Sequence, residues 1–293
     1  MRIQFIVLTV LELMTVGVTS AIGADHPAIT GGVTAYTVVV GDTLTAVSAR
    51  FGVYPATIAA DNHLDPRRPL ETGRELHIDN RHIIPGSVAS GEIVVNVPQR
   101  MIFYQESDGV FSYPIAVGRS TWQTPVRPFT VIRKEENPAW HVPASIRAES
   151  ARAGHQLPLV VPPGPRNPLG RFWIGLSLSG IGIHGTPSQS SIYQTVTHGC
   201  VRLQRDQIAD LYSRVVPGTS GQIIYEPILV GEIDGDIYIE AHVDVYRRLA
   251  TSPYEQAREL AARLGFRDRV DWMAADREID RPAGAARRVS VGK

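Results

Sequence analysis

The chain has 293 residues, of which 43% are hydrophobic and 20% charged, so it is long and apolar enough for a buried core and more than one domain. The 29 Lys and Arg residues balance the 29 Asp and Glu residues, and no long basic run occurs. We therefore expect no nucleic-acid partner, because such binding needs clustered cationic side chains.

The first 23 residues have the pattern of a secretory signal peptide. Arg2 precedes an apolar stretch from Ile3 to Val18, and small residues follow up to Ala24, as a signal peptidase requires. The stretch is short for a membrane span and contains Glu12, whose charge argues against a permanent anchor. We predict a cleaved signal over 1–23 and an exported mature protein.

Residues 35–79 follow the order strand, helix, helix, strand. Tyr36 to Val40 alternates as a strand does, Asp42 is placed to cap a helix, and Gly52 is placed to end it. The stretch resembles the lysin motif (LysM), and the residues that carry the resemblance are Tyr36, Gly41 to Leu44, Phe51, Gly52, Asn62, Gly73, Leu76 and Ile78. The resemblance implies a βααβ domain that binds the N-acetylglucosamine-containing glycan of cell walls. The alternative is a small α/β domain without a ligand.

The segment 79–91 contains a Pro-Gly pair and small polar residues, which predicts a linker. From there the chain changes to short alternating strands separated by turn residues, which indicates an all-β sandwich or barrel over 91–227. One predicted helix, 205–215, interrupts these strands. The remaining region, 228–293, combines a strand-like segment with an amphipathic helix and is predicted to be an α/β extension of unknown role. The predicted fold class is therefore mainly β.

Cys200 is the only cysteine and follows His198 by two residues. An unpaired cysteine in an exported protein is either a small buried residue or a free thiol. In an extended segment His198 and Cys200 point to the same side, and His184 ends another apolar strand. Because an imidazole can activate a thiol, these residues indicate acyl transfer through a thioester. Gly199 and Gly185 beside them are suited to an oxyanion hole built from backbone N–H groups.

Zinc binding is the chemical alternative for the same residues. His184, His198 and Cys200 have the side-chain types that zinc prefers. The sequence contains neither a CxxC nor an HExxH motif, and no fourth ligand is apparent. We therefore predict neither a metal nor another cofactor.

The segment IGIHGTPSQSSIYQTVTHGCVRL resembles the signature of the L,D-transpeptidase family, in which HGT is followed by a spacer, SHGC, an apolar residue and Arg. The upstream segments VGRSTWQTPVRPFTVIRKEENPAWHVP and VVPPGPRNPLGRFWIGL also match the family pattern. The resemblance implies that Cys200 is the nucleophile and that His184 accepts and donates the proton. It further implies that the oxyanion site, the nucleophile loop and substrate positioning involve His198, Gly199, Gly185, Thr186, Thr197 and Arg202. For Arg202, a salt bridge within the domain is the equal alternative.

Two departures from the family pattern stand out. Thr197 replaces the usual serine but keeps a hydroxyl for hydrogen bonding. Arg127 and Pro128 replace the glycine that usually follows Thr-Pro, which stiffens the turn and is expected to alter substrate preference rather than chemistry. Three tryptophans fall in this region, and we expect at most one of them in the site: Trp122, Trp140 and Trp173.

The resemblance implies a periplasmic, wall-associated enzyme that acts on peptidoglycan stem peptides. The Cys200 thiolate would attack the L-centre carbonyl of the third stem residue, typically meso-diaminopimelate, and release the terminal D-alanine. An amine from a second stem or from an anchored lipoprotein would then take the acyl group, which gives a 3-3 crosslink or an attached lipoprotein. The family's behaviour also implies inhibition by carbapenems. The alternatives are an L,D-carboxypeptidase, in which water is the acceptor, and a non-catalytic wall-binding protein.

Overall fold

The computed structural model describes residues 28–86, 88–107 and 109–292. The predicted signal peptide, 1–23, lies outside the described residues. Within the described ranges, no helix is long and apolar enough to cross a membrane. The described elements are mostly strands with few helices, which confirms the mainly β class.

The N-terminal region consists of two strand pairs and two short helices. The elements are β1 (Ile29–Thr30), β2 (Val33–Thr37), α1 (Leu44–Phe51), α2 (Pro55–Asp61), β3 (Glu75–Asp79) and β4 (His82–Ile83). β2 pairs with β3 and β1 pairs with β4, both antiparallel. Helix α2 packs on β3 and α1 packs on α2, around a small apolar core that includes Val38, Val47, Ile58, Leu76 and Ile78.

The first helix is capped by a different residue from the one predicted. Thr43, not Asp42, is the N-cap of α1, and its Oγ1 accepts from Ala46 N at 3.1 Å. The Asp42 carboxylate is occupied in the preceding turn, where it accepts from Tyr36 OH at 2.6 Å and from Val39 N at 2.9 Å. Gly52 ends the helix in the left-handed conformation, with φ of 72°, as predicted.

The central region is built on one mixed sheet of eight strands. Its elements are β5 (Ile93–Asn96), β6 (Met101–Glu106), β7 (Gly109–Pro114), β8 (Val117–Gly118), β9 (Pro128–Glu136), β10 (Trp140–His141), α3 (Ala144–Arg152), β11 (Val160–Val161), β12 (Phe172–Leu176), β13 (Gly182–His184), β14 (Thr195–Thr197), β15 (Val201–Arg202), α4 (Arg205–Arg214) and β16 (Ser220–Ile224). The order in the large sheet is β15-β13-β12-β9-β16-β5-β6-β7. β8 pairs with β14 and β10 with β11 in two further small sheets.

Two of the pairings in the large sheet are parallel, β13 with β15 and β16 with β5, so the sheet is not purely antiparallel. Helix α4 follows β15 and packs on β12, burying Ile208 and Leu211 against the sheet. The parallel pair β13–β15 matters for the site, because it brings the ends of two distant motif segments side by side.

The C-terminal region forms a second, smaller layer of strands and helices. It contains β17 (Ile228–Ile233), β18 (Asp236–Ala241), α5 (Pro253–Arg263), α6 (Trp272–Asp280) and β19 (Arg287–Arg288), and its sheet order is β17-β18-β19. Helix α5 begins with a capping box in which Ser252 and Glu255 satisfy each other's backbone N–H groups. The segment between β18 and α5 returns to the central region, where Tyr246 joins the core.

The first half of the predicted linker, 79–91, is packed rather than free. β4 lies within it, and both His82 and Ile83 are buried. The reason is Glu240 on β18, a fully buried carboxylate that contacts both residues. Glu240 Oε1 lies 2.8 Å from His82 Nδ1, 2.9 Å from His242 Nε2 and 3.0 Å from Gln99 Nε2, which donates to it, and Oε2 accepts from Ile83 N at 2.6 Å.

The same cluster reaches the N-terminal domain. Tyr54, which precedes α2, lies with its OH 3.2 Å from His242 Nδ1 and accepts from Arg100 Nη2 at 2.5 Å. The Arg100 guanidinium lies over the rings of Tyr54 and Tyr193 at 4.9 and 4.6 Å. Polar contacts therefore connect the N-terminal, central and C-terminal regions at one buried junction.

We expect Glu240→Gln to destabilise the protein by about 1–3 kcal/mol, because it removes a buried carboxylate that accepts several hydrogen bonds. Burial raises the pKa of Glu240, but the two histidines outweigh burial and lower it to about 2. The folded-state pKa lies below that of the unfolded chain, so this stability is present at neutral pH and is lost as the pH falls from about 4 to 2.

Urea denaturation of wild type and variant at several pH values measures this difference. The control is Glu136→Gln, which breaks the exposed ion pair with Arg171 and is expected to cost at most about 1 kcal/mol. Equal stability of wild type and Glu240→Gln at pH 7 would contradict the role given to this cluster.

Candidate active site

The candidate nucleophile lies in a tight turn between β14 and β15. Gly199 has φ of +104°, and an added Cβ there would lie 3.0 Å from Ile181 Cδ1, so the position favours glycine. Thr197 Oγ1 accepts from Gly199 N at 3.1 Å and donates to Cys200 O at 2.6 Å. The threonine hydroxyl therefore bridges the turn that holds Cys200.

Cys200 directly precedes β15, which pairs in parallel with the strand that ends at His184. The register pairs Ile183 with Val201 and His184 with Arg202, which places Gly182 beside Cys200. His184 and Arg202 are paired in register, so the imidazole and the guanidinium project on the same side of the sheet. An added Cβ at Gly182 would lie 2.3 Å from the ring of Trp173, so only glycine fits beside that ring.

His184 is held in one orientation and kept neutral. Its ring stacks on Trp173 with centroids 5.6 Å apart, and its Nδ1 lies 2.6 Å from Gly185 O. A proton on Nδ1 donates to that carbonyl, and in this tautomer Nε2 is unprotonated. Burial, and secondly the charge of Arg202, lower the pKa of His184 to about 3. The imidazole is therefore a neutral base at neutral pH.

The thiol is also neutral at rest. Burial raises the pKa of Cys200, and the backbone of Gly182 and the charge of Arg202 oppose that increase only in part. Cys200 Sγ lies 3.5 Å from Gly180 O and is partly exposed to the adjoining pocket. The pair is therefore suited to proton transfer during attack, rather than to a preformed thiolate–imidazolium pair.

The structure gives Arg202 no salt-bridge partner within the part of the chain that it describes. Among the described residues, no carboxylate forms an ion pair with it, and its Nε is buried without a hydrogen-bond partner. Its charge instead acts on both Cys200 and His184. A role of Arg202 in the site therefore stays a prediction.

Gly185 and Thr186 directly follow His184, and Gly185 contacts its imidazole. Gly185 N donates to Phe172 O at 3.4 Å, so this amide is already engaged, while Gly185 O accepts from His184. Thr186 Oγ1 accepts from Ser188 N at 3.1 Å and shapes the following turn. The expectation that Gly185 supplies an oxyanion donor is therefore not supported, because its N–H faces a neighbouring strand.

His198 connects the nucleophile turn to helix α3. Its Nε2 lies 2.5 Å from Glu149 Oε2 and 3.3 Å from Arg119 Nη2, and Arg119 also contacts Glu149. The hydrogen bond from His198, followed by that from Arg119, lowers the pKa of Glu149 despite some desolvation. The His198 ring also meets Trp122 edge-on at 4.9 Å. His198 therefore positions the turn and the pocket wall.

A pocket of about 490 Å³ opens beside Cys200 and His198. Trp122, Trp140 and Trp173 all line it, so the expectation of one tryptophan at most was wrong. The three rings come from separate loops and strands, and their convergence is a property of the tertiary fold. Polar side chains of both charges share the lining, including Arg133, Glu135 and His141.

The residues that replace the family's glycine lie at the start of β9. Pro128 is the first residue of the strand, and Arg127 O accepts from Ile223 N at 3.1 Å. The preceding Thr124 is fully buried and donates from Oγ1 to Gly199 O at 2.9 Å. The turn thus contacts the nucleophile loop through Thr124, a residue that motif matching alone did not single out.

The sequence reading also missed Glu149, Arg119 and Tyr246. Glu149 lies on a polar helix without any motif, and Tyr246 lies far along the chain in a region of unassigned role. For Thr124, the sequence offered one indication, the Thr-Pro pair that precedes Arg127 and Pro128 and matches the family pattern. Within the described residues, no group of three or more His, Cys, Asp or Glu side chains is placed to hold a metal ion.

Comparisons with known proteins define the class. Residues 90–230 match the YkuD family, the L,D-transpeptidase catalytic domain, and residues 36–79 match the LysM domain. ErfK/SrfK from Escherichia coli K12, a probable L,D-transpeptidase, is 33% identical over 231 residues, which cover 76% of this chain and 74% of that protein. YcfS from the same organism, also a probable L,D-transpeptidase, is 34% identical over 221 residues, covering 73% and 68% of the two chains.

The chain therefore belongs to the L,D-transpeptidase family and carries an N-terminal LysM domain. Among solved structures, an L,D-transpeptidase from Mycobacterium smegmatis aligns with a TM-score of 0.37 and 17% identity, over 68% of this chain and 98% of that one.

Proposed function

We propose that this chain is a peptidoglycan L,D-transpeptidase that works through a Cys200 thioester and forms 3-3 crosslinks. The observation that carries the proposal is the register of β13 and β15, which pairs His184 with Arg202 and so brings Cys200, the residue before β15, beside β13 at the edge of a pocket. Family membership supports the reaction class.

In the first half-reaction, His184 Nε2 takes the thiol proton as Cys200 Sγ attacks the L-centre carbonyl of the third stem residue. A C–S bond forms and the carbonyl electron pair moves to oxygen. When the tetrahedral intermediate collapses, the C–N bond to D-alanine breaks and the imidazolium protonates the departing amine. The product is a thioester with a neutral imidazole restored.

In the second half-reaction, an amine of another stem attacks the thioester and transfers its proton to His184. The C–S bond breaks, and the departing sulfur recovers the proton from the imidazolium. One amide has been exchanged for another, so no ATP is required. This balance suits a protein exported to the periplasm and associated with the wall.

Local charge favours a concerted proton transfer. Arg202 stabilises negative charge developing on sulfur and disfavours a long-lived positive charge on His184. General acid–base catalysis of this kind contributes about 10²–10⁴-fold, and one oxyanion donor contributes about 10²–10³-fold. Gly199 N is engaged by Thr197, so we assign the oxyanion donor to the N–H of Cys200 itself.

The LysM domain is proposed to bind the wall glycan and so bring the catalytic region to its substrate. A non-catalytic wall-binding protein would need this domain but not a thiol placed beside the strand that carries the base. A lipoprotein as acceptor would yield a peptide-linked protein, and water as acceptor would make the chain an L,D-carboxypeptidase.

Incubation of the mature protein with purified disaccharide-tetrapeptides tests the proposal. Mass spectrometry is expected to show 3-3 linked dimers and one released D-alanine per crosslink. Tripeptides without dimers would instead establish the carboxypeptidase. Addition of a lysine-terminated lipoprotein peptide tests the third acceptor by its adduct mass.

A carbapenem is expected to add covalently to Cys200. Absence of any adduct, together with absence of dimers and tripeptides, would leave only the wall-binding protein.

A further inference from the structure

We propose that Tyr246, from the C-terminal region, is a positioning residue for the active site. Acting through Thr124, its hydroxyl fixes the peptide unit between Gly199 and Cys200 and so aims the Cys200 N–H at the substrate carbonyl oxygen. This inference rests on the proposed function and gives the C-terminal region a part in it.

Tyr246 belongs to the catalytic core although it follows β18 in sequence. It is 6% exposed and packs in the same apolar cluster as Val117 and Val201, which flank the site strands. Its ring stacks on Tyr225 with centroids 5.6 Å apart, and its backbone N donates to Tyr225 OH at 2.8 Å. Packing and the backbone hydrogen bond to Tyr225 therefore hold the phenol ring in place independently of the contacts of its hydroxyl.

The hydroxyl closes a small ring of hydrogen bonds. Tyr246 OH donates to Gly118 O at 2.6 Å and accepts from Thr124 N at 3.0 Å. Thr124 Oγ1 in turn accepts from Gly118 N at 2.8 Å and donates to Gly199 O at 2.9 Å. Because Thr124 is fully buried, the loss of one of these bonds leaves a polar group without an easy replacement partner.

Planarity of the peptide bond transmits this contact to the reacting centre. Gly199 C=O and Cys200 N–H belong to one trans unit, so they point in opposite directions. Thr124 holds the carbonyl and thereby sets the direction of the N–H. Gly199 has a positive φ and no side chain, so without this hydrogen bond the unit would rotate more freely.

A second contact connects the same segment to the pocket. Arg248 Nη2 donates to Gln123 Oε1 at 2.7 Å, and Gln123 and Trp122 both line the pocket. The Arg248 guanidinium lies 5.6 Å from the Tyr246 ring centroid. The contact of Arg248 with Gln123 and that of Tyr246 with Thr124 therefore come from neighbouring side chains of one segment. The segment 244–249 therefore holds both the turn amide and the pocket wall.

The test compares two reactions of the same thiol in the full mature chain. Acylation by ertapenem passes through an oxyanion, whereas alkylation by iodoacetamide does not. Tyr246→Phe keeps the ring and removes the hydroxyl, so acylation is expected to slow by about tenfold or more while alkylation stays within about twofold. Tyr238→Phe is the matched control, because it also removes a buried hydroxyl, which accepts from Arg81, and is expected to change neither rate.

Thr124 provides a second, independent pair of variants. Thr124→Val keeps the shape and loses the hydroxyl, whereas Thr124→Ser keeps the hydroxyl. We expect the valine variant to reproduce the selective loss of acylation and the serine variant to retain wild-type acylation. If Tyr246→Phe does not fold by circular dichroism, this pair decides the question.

Unchanged acylation in the folded variants overturns the inference. A parallel fall of acylation and alkylation also overturns it, because that result indicates a displaced or unfolded turn rather than a misdirected N–H. Failure of the wild-type chain to react with ertapenem would instead refute the proposed function, so the two failures are distinguishable.

Discussion

Cys200→Ala is expected to reduce dimer formation by about 10⁴-fold or more, because it removes the thiol that forms the acyl-enzyme in the proposed mechanism. Cys200 is the only cysteine of the chain. The measurement is the initial rate of D-alanine release from tetrapeptides, together with intact mass after carbapenem treatment. We expect neither product nor adduct.

Wall binding provides the control for this variant. The LysM domain lies outside the catalytic pocket, so co-sedimentation with purified sacculi is expected to be equal for wild type and Cys200→Ala. Residual D-alanine release at the wild-type rate would show that sulfur is not the nucleophile, and the mechanism proposed for this chain would then be wrong.

His184→Gln is expected to slow acylation by about 10²–10⁴-fold, the usual contribution of a general base. Glutamine retains a donor for Gly185 O but cannot accept the thiol proton productively. The remaining reaction then depends on the small thiolate fraction. Because burial raises the pKa of Cys200, the variant's rate is expected to rise about tenfold per pH unit through pH 8.

The wild-type pH profile tests the same assignment. Burial, followed by Arg202, lowers the pKa of His184 to about 3, so the neutral base is present throughout the range from pH 5 to 8. We therefore expect kcat/KM for acylation to lack the acid limb that an ordinary histidine produces near pH 6.5. A limb at that pH would show that His184 titrates as an ordinary histidine, which would contradict the low pKa assigned to it.

The buried junction around Glu240 changes how the LysM domain is understood. A flexible linker would let the domain search for glycan independently of the catalytic region. Contacts from Tyr54 and His82 to the C-terminal strand instead hold the two at a fixed orientation. Deletion of the LysM domain would expose the Glu240 cluster. Substitutions on the exposed surface of the LysM domain are therefore the better way to separate glycan binding from catalysis.

The sequence by itself determined most of the strands, the family and the candidate pair His184 and Cys200. Alternating apolar residues marked most of the strands of the large sheet, because successive side chains of a strand point to opposite faces and this alternation is visible in the local sequence. The motif around His184 and Cys200 indicated the family and the expected chemistry, because the residues that build the turn are adjacent in the sequence. Thr197 keeps the hydroxyl of the usual serine, and that hydroxyl donates to Cys200 O.

Only the tertiary structure decided which distant groups surround that pair. Tyr246 and Gly118 are 128 positions apart, and Glu240 and His82 are 158 apart, so no local pattern connects them. The same holds for the three tryptophans that meet at the pocket. Such contacts arise from the packing of separate units, where shape and burial select the partner. Local alternation and turn chemistry contain no information about that choice.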